Sequence, residues 1–190
     1  MGGSIMAIRK PQPSAFPAEE LTVDDWFTMP DDGRQYELLE GVLVLVTPPS
    51  RLHQDIVGEI FLALKLLCRS SGGYAAIAPL GVALGTRIGF EPDVVYVAPG
   101  REEILTARGI EGVPDLVVEV LSRSTRAFDR STKLRQYLEH GVREVWLVDP
   151  ERRTITVHRP EGPPEAVNFG ERVPSVLVDV GDAGLGAVED

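Results

Sequence analysis

Cysteine is nearly absent from this chain: Cys68 is the one thiol in 190 residues. That excludes an internal disulfide and any zinc site built on a cysteine cluster. Histidine is scarce as well, and His53, His140 and His158 follow no zinc-ligand spacing. No apolar run approaches the roughly 18–20 uncharged residues of a membrane span. The opening MGGSIMAIRKPQPS lacks the apolar stretch and small-residue cleavage site of a signal peptide. It reads as a flexible leader over 1–20, and the expected setting is cytoplasmic, away from membranes. Basic residues are in the minority: 19 Lys and Arg against 29 Asp and Glu give a net charge of −10. This argues against a broad basic footprint for long duplex DNA, but not against an enzyme whose carboxylates gather metal ions. GxGxxG, Walker and GxSxG patterns are all missing, so Gly85 and Gly89 belong to no phosphate-binding loop. Cys68 falls on the apolar face of a helix, which leaves nucleophilic Ser or Cys catalysis without support.

What remains is ordinary globular material, 43% hydrophobic and 25% charged, enough for one core. One domain is expected over 21–180, followed by a weakly ordered acidic tail over 181–190. A short helix is expected over 21–29, with Thr22 as N-cap, Asp25 three residues on and Pro30 as the stop. YELLEGVLVLV (36–46) reads as two strands about Glu40-Gly41, or one strand bulged there. Ile56, Val57, Ile60, Phe61, Leu64, Leu67 and Cys68 recur at helical steps and predict a helix over 52–69, ended by Ser71-Gly72-Gly73. One or two strands follow over 74–84, and then a central strand over 92–97. A surface connection over 98–113 leads to a second central strand over 116–121. A helix over 130–140 ends at Gly141, and a third central strand covers 144–148. An edge strand over 154–158 has its partner near 167–169. This order predicts α/β layers about a mixed sheet.

The chemistry is concentrated in two Pro-Asp pairs that each open a strand: Pro92-Asp93 in EPDVVYV and Pro114-Asp115 in PDLVVEVLS. Aspartate after proline is common in turns, which accounts for Asp115. Glu119 resists that explanation. Alternation puts it on one face with Val117 and Leu121 in an otherwise apolar strand, where an unpaired carboxylate costs several kcal/mol. Lys133 lies fourteen residues on, within the expected helix. Asp93 and Glu119 are the candidate metal ligands, since magnesium takes oxygen donors from one or two carboxylates and fills its shell with water and phosphate. Lys133 would position or deprotonate the attacking water, or stabilise developing negative charge. His53, Glu40 and Tyr137 are auxiliary candidates. The competing readings are an ion pair of Glu119 with Lys133 or Arg143, and a solvated Lys133 paired with Asp129. Losing Lys133 is expected to abolish cleavage while changing stability by only about 0–1 kcal/mol, as for an exposed salt bridge. The strands starting at Asp93 and Asp115 are expected to be neighbours, with Asp93 and Glu119 facing one cleft.

The ordered blocks YELLEG, PPSRLHQDI, EPDVVYV, PDLVVEVLS, KLRQYLEHGV and EVWLVDP, spanning about 21–159, resemble the Uma-two family of restriction-endonuclease-like proteins in the PD…(D/E)xK nuclease superfamily. The resemblance implies an α/β fold with a restriction-endonuclease-like αβββαβ core, a mixed central sheet flanked by helices and an N-terminal β extension. It also implies a divalent metal, Mg²⁺ or alternatively Mn²⁺, at Asp93 and Glu119. Leu121 stands where the superfamily pattern has lysine, so the resemblance assigns that role to Lys133 on the following helix. Arg123 replaces a common proline, and the stretch after Val178 lacks the usual apolar ending.

The leading expectation is therefore a metal-dependent endonuclease hydrolysing phosphodiester bonds in DNA, working as a homodimer because cutting both strands takes two sites. The alternative is a catalytically silent nucleic-acid- or protein-interaction module on the same fold, favoured by the negative charge and the displaced lysine. A third reading is a hydrolase of small phosphoesters.

Overall fold

The computed structural model describes residues 20–122 and 126–188. The expected leader (Glu20 apart), Arg123 and the last two residues of the expected tail lie outside the described residues. In chain order the elements are α1 (Val23–Phe27), β1 (Tyr36–Leu39), β2 (Val42–Leu45), α2 (Arg51–Ser71), β3 (Tyr74–Ile77), β4 (Val82–Gly85), β5 (Ile88–Phe90), β6 (Val94–Val97), β7 (Ile110–Glu111) and β8 (Leu116–Val120). After these come α3 (Arg126–Phe128), a π-helical segment (Asp129–Lys133), α4 (Leu134–Glu139), β9 (Glu144–Asp149), β10 (Thr154–His158) and β11 (Glu165–Asn168). Two mixed sheets result, in the orders β11-β10-β9-β8-β6-β3 and β2-β1-β5-β4-β7. Within the larger sheet, β6 pairs antiparallel with β8 and β8 pairs parallel with β9. With α2 and α4, its strands β3, β6, β8 and β9 form the αβββαβ core.

The β-alternation of β8 decides what each face meets. Leu116, Val118 and Val120 pack with Ile56, Ile60 and Leu64 of α2, whereas Val117 and Leu121 pack with Tyr137 of α4 and with Val82 and Phe90 of the smaller sheet. Ile56, Ile60 and Leu64 are fully buried, each contributing roughly 1.5–3 kcal/mol of apolar burial. Glu119 therefore points into the space between the two sheets, beside α4. On its outer side the smaller sheet is covered by α1, whose Thr22–Asp25 capping box is complete. The Trp26 indole lies so close to Gly89 that a Cβ there would fall 2.5 Å from the ring, and its N–H donates to the Tyr36 carbonyl at 2.7 Å.

Some expectations are corrected. Strand β10 is not an edge: it pairs with β9 on one side and β11 on the other. Residues 88–90 form β5, which was not anticipated because three residues centred on a glycine carry no alternation. The helix expected over 130–140 starts four residues earlier, at Arg126, and contains the π segment. Over 181–188 the weakly ordered tail is replaced by a short 3₁₀ turn with Ala183 and Leu185 fully buried in the α2-side core. Gly184 permits this turn, since its φ is +78° and a Cβ would meet the Glu59 side chain at 2.8 Å.

Glu144 ties this C-terminal part to the sheet. Its carboxylate is fully buried and accepts from Arg159 Nε (3.0 Å), Trp146 Nε1 (3.1 Å), Ser175 Oγ (2.6 Å) and the Val176 amide (2.8 Å). Glu144→Ala strands those donors and should cost about 3–5 kcal/mol in urea unfolding. Val176→Ala, at a side chain that is 76% exposed, should stay within about 0.5 kcal/mol.

Candidate active site

The register of β6 against β8 pairs Val94 with Val118 and Val95 with Val117. Continued one residue further, it sets Asp93 beside Glu119, on adjacent strands of the central sheet. Asp93 stands just outside β6, and its Oδ2 takes over the ladder by accepting the Val120 N–H at 2.7 Å. His53, in the first turn of α2, places Nε2 3.2 Å from the same oxygen. The turn is fixed by Ser50, whose hydroxyl accepts the His53 amide.

Lys133 arrives from the opposite side. The Leu134 amide bonds the Asp129 carbonyl five residues back, a widened turn of the kind that re-aims side chains. The Lys133 side chain is only 5% exposed. Its ammonium lies 2.7 Å from Glu119 Oε1 and 2.7 Å from Glu37 Oε1, and 5.4 Å from the centre of the Phe90 ring. One turn on, the Tyr137 hydroxyl donates to Glu119 Oε1 at 2.6 Å, and the Tyr137 ring packs edge-on against Phe90. Glu37 extends inward from β1, and its Oε1 also accepts the Glu91 amide at 3.2 Å. All of these acids, with His53 and Lys133, line one cleft of about 770 Å³ between the two sheets.

Among the described residues, the cleft is short of positive charge. Burial pushes the Glu119 carboxyl well above the usual carboxylate range; Lys133 opposes this, and Asp129, Asp93 and Glu37 add to it. Glu91 is pushed up to about 7 by burial and by Glu37, against the pull of Lys133. For the Lys133 ammonium, burial favours the neutral form, yet Glu119, Glu37 and Asp129 outweigh it and raise the pKa. Lys133 therefore stays charged across the physiological range. Burial likewise opposes charge on His53, and the hydrogen bond and charge of Asp93 win, so its pKa also rises.

Among the described residues, these hydrogen bonds and ion pairs of Asp93 and Glu119 fall on Asp93 Oδ2 and Glu119 Oε1. Among the described residues, no three His, Cys, Asp or Glu side chains form a ready-made metal shell. The described residues offer a two-carboxylate pair of hard oxygen donors, the type that suits a magnesium-like ion completed by water.

The structure thus gathers Asp93, Glu119, Lys133, His53 and Tyr137 of the sequence candidates. Glu40 is set aside: it is an exposed residue of the β1–β2 turn with φ +51°, and its backbone carbonyl accepts from Arg87. Arg143 does not pair with Glu119; it goes to Asp115 at 3.1 Å. The solvated pairing of Lys133 with Asp129 also fails, since the two lie 4.0 Å apart and both are buried. Glu37 and Glu91 went unnoticed in the sequence. The signal for Glu37 was its place in YELL, where a short amphipathic hairpin strand makes an acid look like an ordinary outward residue.

The αβββαβ core with its mixed central sheet is that of the restriction-endonuclease-like class. Residues 23–181 match the family model Uma2, described as "Putative restriction endonuclease". The chain belongs to that family. Its fold is also that of a crystal structure, at 1.96 Å resolution, of a "putative nuclease belonging to DUF820" from Anabaena variabilis ATCC 29413. The two are 22% identical, with a TM-score of 0.70 over 86% of this chain and 97% of that one. No curated protein matches the chain. No described helix is long and apolar enough to cross a membrane.

Burial reverses the expectation for Lys133 and stability. Lys133→Ala leaves Glu37 and Glu119 buried side by side without their cation, and should cost about 3–5 kcal/mol rather than a fraction of one. Adding Glu37→Gln to Lys133→Ala should recover part of that loss in urea unfolding, whereas strictly additive losses would show that the two groups do not interact.

Proposed function

We propose that this chain is a metal-dependent nuclease that hydrolyses phosphodiester bonds in DNA at the Asp93–Glu119–Lys133 cleft. The carrying observation is that the register of two neighbouring strands sets the Asp93 and Glu119 carboxyl groups side by side, next to a buried, charged lysine. Asp93 and Glu119 would hold a Mg²⁺ or Mn²⁺ ion. The donor set fits, being oxygen-only and short of positive charge. Bound there, the ion would acidify water and neutralise phosphate charge.

The residues of the chain account for the rest. In hydrolysis, water forms a new P–O bond, the bond to the leaving sugar oxygen breaks, and a proton moves from water to that oxygen. Lys133, held charged by two carboxylates, is suited to stabilising negative charge on the phosphate oxygens rather than to abstracting a proton. Tyr137 keeps Glu119 aimed by donating to Oε1, and the Val120 amide with His53 does the same for Asp93. Cutting both strands requires two sites, so the reading includes a homodimer, in a cytoplasmic setting. The silent-module alternative draws on the net charge of −10 and on the lysine being bound by two acids.

The test is cleavage of plasmid and single-stranded DNA with Mg²⁺ or Mn²⁺. Wild type should cut, and Asp93→Asn and Glu119→Gln should each be slower by about 100-fold or more. Equal rates in wild type and variants would remove these residues from the site. A wild type inert with both ions would favour the interaction module.

A further inference from the structure

We propose that Glu37, carried by the β1–β2 hairpin outside the αβββαβ core, is the positioning residue that holds the Lys133 ammonium against Glu119. The inference rests on the nuclease reading above and adds a residue from the second sheet to its site. The need arises from Leu121. A lysine there would sit at the end of β8, two residues from Glu119. Lys133 instead spans the cleft from a helix, on a flexible four-carbon chain that carries about 2 kcal/mol of rotamer entropy. Such an ammonium keeps one position only if it is gripped from more than one side.

The geometry supplies the grip. Glu37 Oε1 and Glu119 Oε1 each lie 2.7 Å from Lys133 Nζ, on groups that come from different sheets. Asp129, at 4.0 Å, is too far for a hydrogen bond. The ammonium donates a hydrogen bond to Glu37 and forms a close ion pair with Glu119. Glu37 is itself fixed, because its Oε1 accepts the Glu91 amide at 3.2 Å and its side chain is 6% exposed. The next residue, Leu38, is fully buried on the other face against Leu21 and Trp26. A continuous chain of contacts then runs from the Glu91 backbone through Glu37, Lys133 and Glu119 to the Tyr137 hydroxyl. Acting through Lys133, Glu37 should govern turnover more than substrate affinity.

Steady-state kinetics on a DNA oligonucleotide should be measured for wild type, Glu37→Gln, Lys133→Gln and the double variant, with Glu37→Asp as a second replacement should Glu37→Gln unfold. Glu37→Gln is expected to lower kcat about 10- to 100-fold with KM nearly unchanged, the range found for outer-shell partners. In the Lys133→Gln background it should cause no further loss, since the two act as a unit. Losses that multiply in the double variant would overturn the proposal and make Glu37 an independent participant, such as a third metal ligand. A second readout needs no turnover: acetylation of Lys133 in the DNA-free protein, followed by mass spectrometry. It should be about tenfold faster in Glu37→Gln than in wild type, and equal rates would overturn the proposal. If wild type fails to cut DNA, the nuclease reading falls, while the acetylation rates still decide whether Glu37 holds Lys133.

Discussion

A lysine ammonium buried between two carboxylates is the constraint on which the rest of this molecule turns. Removing one such charge from water costs several kcal/mol even after relaxation, so the fold must bring compensating groups to it. Here the compensation comes from two places far apart in the sequence, Glu37 on β1 and Glu119 on β8. The two sheets consequently have to meet at this point, with the Phe90 ring of β5 beside the ammonium. The π segment is the local adjustment that lets a helical residue reach the same spot. In this sense the β extension lines the cleft as well as forming part of the scaffold.

The acids of the protein that are taken out of water fall into two groups, and the contrast between them sets the cleft apart. Away from the cleft each is matched to arginine: Asp115 to Arg101 and Arg143, Glu144 to Arg159, and Asp149 to Arg126 and Arg130. These planar, permanently charged partners make closed structural networks. Within the cleft, the buried Glu37, Glu119 and Asp129 and the half-buried Glu91 and Asp93 share one lysine and one histidine among the described residues. The elevated Glu91 and Glu119 express that imbalance. A divalent cation would correct it, and a polyanion alone would worsen it. The acidity that argues against a simple duplex binder is, locally, what a metal-dependent enzyme uses.

How much of this was legible in the sequence follows from the physics of each residue. Glu119 stood out because strand alternation leaves no solvent-facing explanation for a carboxylate among five apolar neighbours. The neighbouring strands followed from two apolar runs, each opened by Pro-Asp. The outward face of a helix was the natural place for Lys133, and its burial depends on a tertiary partner that no local pattern reveals. That partner, Glu37, hid in a four-residue hairpin strand. Glu40, three residues later, drew attention only because it precedes a glycine, and the turn conformation accounts for it. Strand β5 and the ordered 181–188 segment were missed for a shared reason. Both are short and glycine-containing, and they owe their structure to what packs on them, the Trp26 indole in one case and the α2-side core in the other. Asp115, read from the sequence as a turn residue, is a buried partner of Arg101 and Arg143.

The most direct measurement is a crystal of the protein soaked in Mn²⁺ and examined by anomalous diffraction. The account predicts one strong peak in the cleft within bonding distance of both the Asp93 and Glu119 carboxylates, with Lys133 still in contact with Glu37. Absence of a peak there, or occupancy at a site that touches neither carboxylate, would contradict it.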